Sequence, residues 1–181
     1  MNKHLKLVRE FRDAFSLPYA AHGENAKLSE MDIIMHQALL MEEGSELFRA
    51  IKAGDMVDIL TGMVNLAYCA LGAIAIQGAD VLDRPVSWQH DGFVISLMRL
   101  FSEKINNCAS GSSENYSEVY GLCVYLSRSF INADFDKAFQ MVHDGRMSRV
   151  DKIGQLSCEN VEEIHKSKFF KAPDLSDCLY E

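Results

Sequence analysis

Along most of the chain the apolar residues recur in steps of three and four rather than alternating, which predicts helices throughout. Leu5, Leu7, Val8, Phe11 and Phe15 mark one apolar face over residues 3–15, ended by the Ser16-Leu17-Pro18 break. Ser29 opens a second helix reaching about Lys52, because Ser29 and Asp32 stand at the spacing of a capping box. Ala53-Gly54 turns the chain, and Asp55 caps a third helix that runs to Gly78, a residue suited to the left-handed conformation that closes helices. These two helices, about 29–52 and 55–78, form an antiparallel hairpin. Further helices are expected at about Gly92–Asn107, Glu114–Phe130, Phe135–His143 and Asn160–Lys166, with a flexible surface loop at 109–113 and an extended segment from Lys171 onward. The fold class is all-α: a helical bundle around the hairpin.

Composition narrows the picture. The 181 residues fit one domain with a sizeable core. Between Met56 and Ile76 the only charged residue is Asp58, a run close to the length of a membrane span. Thr61 and Asn65 share the face of Asp58, glycines stand at 62 and 72, and no Lys or Arg cluster flanks the run, so the central helix of a bundle is expected and not a membrane partner. A net charge of -8 argues against duplex nucleic acid, which demands a basic face. Five scattered cysteines without a CxxC pair predict reduced thiols. The charged, amphipathic N-terminus is unlike a secretory signal, and a cytoplasmic location is expected.

The candidate chemistry lies in the string Leu40-Met-Glu-Glu-Gly-Ser-Glu-Leu-Phe48. Helical geometry stacks Glu42 and Glu46 one above the other, with Glu43 one step around. The stripe Met35, Leu39, Glu42 or Glu43, Glu46, Ala50 sets these acids between apolar neighbours, and carboxylates in that setting want a cation. With the turn near Ala53-Gly54, Glu46 faces Thr61 and Gly62, and Glu42 faces Asn65. Asp58, Thr61 or Gly62, and Asn65 are the polar stripe of the otherwise apolar third helix. Carboxylates and an amide oxygen, without His or Cys, suit magnesium or manganese rather than zinc.

These residues resemble the MazG-like all-α nucleoside triphosphate pyrophosphohydrolase superfamily, which includes dimeric dUTPases and phosphoribosyl-ATP pyrophosphohydrolase. The likeness covers Leu7–Asp80 and resumes at about Phe135–Ser148. It rests on Val8-Arg-Glu-Phe-Arg-Asp-Ala-Phe15, on Glu-Glu-x-x-Glu-Leu at 42–47 and on Gly54-Asp55, and Ala172-Pro-Asp-Leu175 is similar to the group's closing segment. Residues 84–133 read as a helical insertion. The resemblance implies magnesium-dependent hydrolysis of a nucleoside triphosphate to monophosphate and pyrophosphate, with Glu42 and Glu46 holding ions, Glu43 orienting or deprotonating water, and a homodimer or higher homo-oligomer as the assembly. The exceptionally apolar third helix fits burial in such an assembly.

The chain departs from the family pattern in two places. Where the third helix would carry Glu-x-x-Asp stands Gly62-Met-Val-Asn65. Asp58, about 6 Å nearer the helix start, is the expected substitute ligand unless it serves only in the Asp55 cap, and Asn65 offers a neutral oxygen. A pattern similar to Asn-x-Ser-Lys appears as Arg146-Met-Ser-Arg149, so Arg146 and Arg149 are the expected phosphate contacts, with a solvated basic turn as the alternative. The replacements keep open a non-catalytic nucleotide- or metal-binding role, and a helical assembly protein without nucleotide. His36 and His143 are expected to be structural, the nine methionines core filling, and Trp88, Phe93 and Phe101 packing residues.

Overall fold

The computed structural model describes residues 1–149 and 173–180. Among the described residues six helices follow the apolar periodicity: α1 Lys3–Ala14, α2 Glu30–Ala53, α3 Met56–Gln77, α4 Val94–Asn107, α5 Ser113–Ser129 and α6 Phe135–Met147. Their ends are set by side chains that satisfy the first amides. Asn2 Oδ1 accepts from His4 N and Leu5 N at 2.9 and 3.1 Å. Ser29 and Asp32 form the reciprocal capping box. Asp55 Oδ1 accepts from Val57 N at 2.9 Å and from Asp58 N at 3.0 Å. Gly54 and Gly78 close α2 and α3 with φ of 76° and 66°, a region in which a Cβ is strained.

The centre of the molecule is α3, which packs against α1, α2, α5 and α6. Leu60, Val64, Leu66, Ala67, Ala70, Leu71 and Ile74 have no exposed surface. Its most apolar stretch is long enough to cross a membrane by composition, yet 83% of it is buried within the fold. The helix therefore turns its apolar surface into the protein's own core.

The segment 84–133 is integral to that core. From α5, Tyr116, Val119, Cys123 and Leu126 are fully buried against α3 and its neighbours, and Phe101 of α4 is equally enclosed. Trp88 packs edge-on to His90 with ring centroids 5.4 Å apart and lies beside Phe130, whereas Phe93 is exposed. The expected flexible loop at 109–113 is instead a tight turn: Cys108–Ser110 make one 3-10 turn, Gln77 Nε2 donates to Gly111 O at 2.8 Å, and Ser112 caps α5. A polar composition misled here because the buried Cys108 and the reach of Gln77 tie the backbone down. The end of the chain docks by an isolated antiparallel bridge between Ala133 and Leu179 and carries one 3-10 turn, Ser176–Cys178. The expected helix at 160–166 lies outside the described residues.

One close approach sets the geometry of the hairpin. A Cβ added at Gly62 would come within 3.0 Å of Leu47 Cα and 3.2 Å of Leu47 Cβ, so α2 and α3 touch backbone to backbone there. This register is one residue from that expected, in which Gly62 faces Glu46. Gly62→Ala should force the helices apart and lower stability by about 1–3 kcal/mol, the usual cost of overpacking a tight core. Chemical denaturation checks it, and an unchanged midpoint would contradict the contact.

Candidate active site

The candidate site lies between α2, the first half of α3 and the end of α6. On α2, Leu40 and Leu47 are fully buried, which holds Glu43 half-buried between them while Glu42 and Glu46 point toward solvent. On α3, Ile59, Leu60 and Met63 face inward, which leaves Asp58, Thr61 and Asn65 along the α2 side. Glu42, Glu43, Glu46, Asp58, Thr61, Gly62, Asn65, Arg49 and Arg146 thus line one open cavity of about 630 Å³.

Arg146 is the floor of this cavity. Only 4% of it is exposed. Its Nη2 donates to Asn65 Oδ1 at 3.0 Å, and its guanidinium carbon sits 4.0 Å above the ring of Tyr68. The Tyr68 hydroxyl in turn meets His143 Nδ1 at 3.1 Å. Burial raises the Tyr68 hydroxyl well above its ordinary value and lowers His143, so this pair is neutral and supports the arginine by packing and hydrogen bonding.

Glu43 is the electrostatically unusual acid of the set. Burial raises its pKa, Arg146 pulls it down, and the neighbouring Glu42 and Glu46 push it up again. Burial that strengthens the hold of this carboxyl on a proton suits it to receiving one. Glu46 is bound to Arg49 Nη2 at 2.6 Å, one helical turn along.

The cavity gathers six of the seven residues expected from sequence. Asp58 lines it from the first turn of α3, and its amide donates to the Asp55 cap at 3.0 Å, so the cap partnership is seen directly while the side chain borders the cavity. Asn65 lines it with its oxygen already engaged by Arg146. Arg149 does not: it is buried, and its amide donates to Arg146 O at 3.3 Å, beyond the residues that line the cavity. Arg149 stands just beyond the end of α6, which closes at Met147.

Sequence reasoning missed Arg49 and Tyr68. The i, i+3 spacing of Glu46 and Arg49 was available; the position of Tyr68, one turn beyond Asn65, becomes meaningful only once Arg146 is placed over it. His36 and His143 are structural, as expected: His36 Nδ1 lies 2.9 Å from Asp32 O and is buried. His4, at the start of α1, is a buried ring stacked on Phe139, and burial lowers its pKa to about 4.

The donor set bears on a metal. Oxygen atoms from four carboxylates and an amide border one cavity without His or Cys, which fits a hard divalent cation. Among the described residues no three acidic, His or Cys side chains already stand at coordination spacing. Glu42, Glu46 and Asp58 are exposed, so rotation of their side chains is what would bring their oxygens together.

Comparison with known proteins covers part of the chain. The family model described as phosphoribosyl-ATP pyrophosphohydrolase matches residues 8–84, the stretch that holds α1, α2 and α3 and every acidic residue of the cavity. No curated protein and no solved structure gives a match.

The raised pKa of Glu43 has a consequence for stability. A folded carboxyl that binds its proton more tightly than the unfolded chain loses stability as pH rises through its ordinary range, and the loss persists above the raised value. Glu43→Gln carries no charge at any pH. It should melt at a higher temperature than the parent near neutral pH, with the difference fading below about pH 4. Scanning calorimetry across pH checks this; a gain that grows on acidification would contradict it.

Proposed function

We propose, from the premise that residues 8–84 belong to the MazG-like all-α nucleoside triphosphate pyrophosphohydrolase superfamily, that the protein hydrolyses a nucleoside triphosphate to monophosphate and pyrophosphate with magnesium or manganese. The observation that carries this reading is the single cavity that brings the three glutamates of α2 and Asp58 of α3 opposite the buried Arg146.

In this reading Glu42, Glu46 and Asp58 would hold the ion, with Asn65 Oδ1 as a weaker donor because it already accepts from Arg146. The bound cation would neutralise the polyphosphate and favour charge on the leaving pyrophosphate. The chain's own residues do the rest. Glu43 orients a water and takes its proton as the water oxygen bonds to the α-phosphorus and the bond to the bridging oxygen breaks. Arg146 meets the phosphate oxygens with a guanidinium held by Tyr68 and Asn65. Arg49, at the rim, can leave Glu46 for a phosphate.

The loss of carboxylates at 62 and 65 favours a second reading, in which the fold binds nucleotide or metal without turnover. Pyrophosphate release from a panel of ribo- and deoxynucleoside triphosphates with magnesium separates the two. Release that falls by about 10²–10⁴ in Glu43→Gln is expected, the range for loss of a positioned general base. No release from any triphosphate, together with calorimetric binding of a non-hydrolysable analogue, would favour the second; no binding either would leave a helical assembly protein.

The same reading includes a homo-oligomer. Met31, Ile34 and Met41 on α2 and Phe93 and Ile95 at the start of α4 are all more than half exposed, an apolar surface suited to a second copy. A monomer in light scattering at micromolar concentration would count against it. The described cysteines Cys69, Cys108, Cys123 and Cys178 are free and buried, which fits the cytoplasmic location proposed with it.

A further inference from the structure

The cavity is short of carboxylates on the α3 side, and the structure offers a physical account of what takes their place. A side chain at position 62 would require α2 to give way, because a Cβ there meets the Cα of Leu47 at 3.0 Å. Position 65 carries an amide whose oxygen is held by Arg146 at 3.0 Å. Arg146 reaches this point from α6, is 4% exposed, and lines the cavity with its Nε unpaired among the described residues. A buried guanidinium beside acidic residues is itself a fixed cation, and its planar donors match phosphate oxygens.

The charges around the cavity are consistent with this. Glu42, Glu43, Glu46 and Asp58 face Arg49 and Arg146, so four acids are opposed by two guanidiniums. The remaining two negative charges are those that one divalent cation neutralises. A second such ion near Asn65 would lie beside the Arg146 guanidinium, with a neutral amide in place of a carboxylate to offset the repulsion.

We propose that the Arg146 guanidinium stands in for a second divalent cation, so that each chain takes one ion on the α2 side and meets the phosphates with that ion and one fixed arginine. Asn65 is then a positioning residue: its amide holds Arg146 without competing for metal as a carboxylate would. The inference rests on the pyrophosphohydrolase reading and concerns how this site differs within it.

Counting ions tests it without reference to turnover. Mn²⁺ alone is titrated into the full-length protein, with free ion followed by its paramagnetic resonance signal. One tight site per wild-type chain is expected, and one again in Arg146→Lys, which keeps the charge. Two sites are expected in the double variant Asn65→Asp with Arg146→Ala, which restores a carboxylate and removes the guanidinium. Two sites in wild type or in Arg146→Lys, or a single site in a double variant that circular dichroism shows to be folded, would overturn the proposal. Should the double variant not fold, the wild-type and Arg146→Lys counts decide alone. No bound Mn²⁺ in wild type would overturn the metal-dependent reading itself and this inference with it, whereas two sites would leave that reading standing.

Discussion

The backbone contact between α2 and α3 at Gly62 and Leu47 is the constraint on which the rest of the site depends. Two helices that touch this closely carry their side chains past one another rather than between one another. Glu43 and Glu46 on one side and Asp58 and Asn65 on the other are therefore pushed out to a shared flank, where they border an open cavity. The same contact removes position 62 from the chemistry. Close packing and a full set of acids compete for one place in the fold, and packing has taken it.

Arg146 resolves part of the resulting imbalance. A guanidinium with so little exposed surface is costly to bury unless it is held by hydrogen bonds and nearby negative charge. It has both in Asn65 and Glu43, together with the face of Tyr68. Tyr68 is in turn fixed by His143, so an ordered series of neutral groups runs from α6 into α3 and back to α6 through the arginine. Glu42 and Glu46 on α2, by contrast, are exposed, and Glu43 is half-buried. The cavity thus sets a buried, hydrogen-bonded Arg146 against the exposed Glu42, Glu46 and Asp58.

Much of this was legible in the sequence because it depends on local rules. The helix starts at Ser29 and Asp55 follow from capping chemistry, and the hairpin follows from Gly54, whose φ of 76° few other residues tolerate. The convergence of Glu42, Glu46, Asp58 and Asn65 follows from antiparallel register alone. What was hidden depends on tertiary placement. No periodicity indicates that Arg146 lines the cavity while Arg149 is buried without lining it, since the two stand three residues apart in one polar stretch. Nor does a Ser- and Gly-rich stretch disclose that Gln77 and Cys108 hold it in a fixed turn. Sequence places the segment 84–133 as a helical insertion, and only the structure discloses that the buried face of α5 makes it one wall of the core.

Arg146 and the acids it faces lie on parts of the chain separated by two intervening helices, α4 and α5. The hairpin must conserve its contact and its carboxylates together, since a change in one displaces the other. The last turn of α6 is under no such coupling to the backbone of α2. A change of charge at position 146 therefore reaches the cavity from α6 without disturbing the backbone contact that presents the acids, and of the hairpin residues it is Asn65 that answers to it directly.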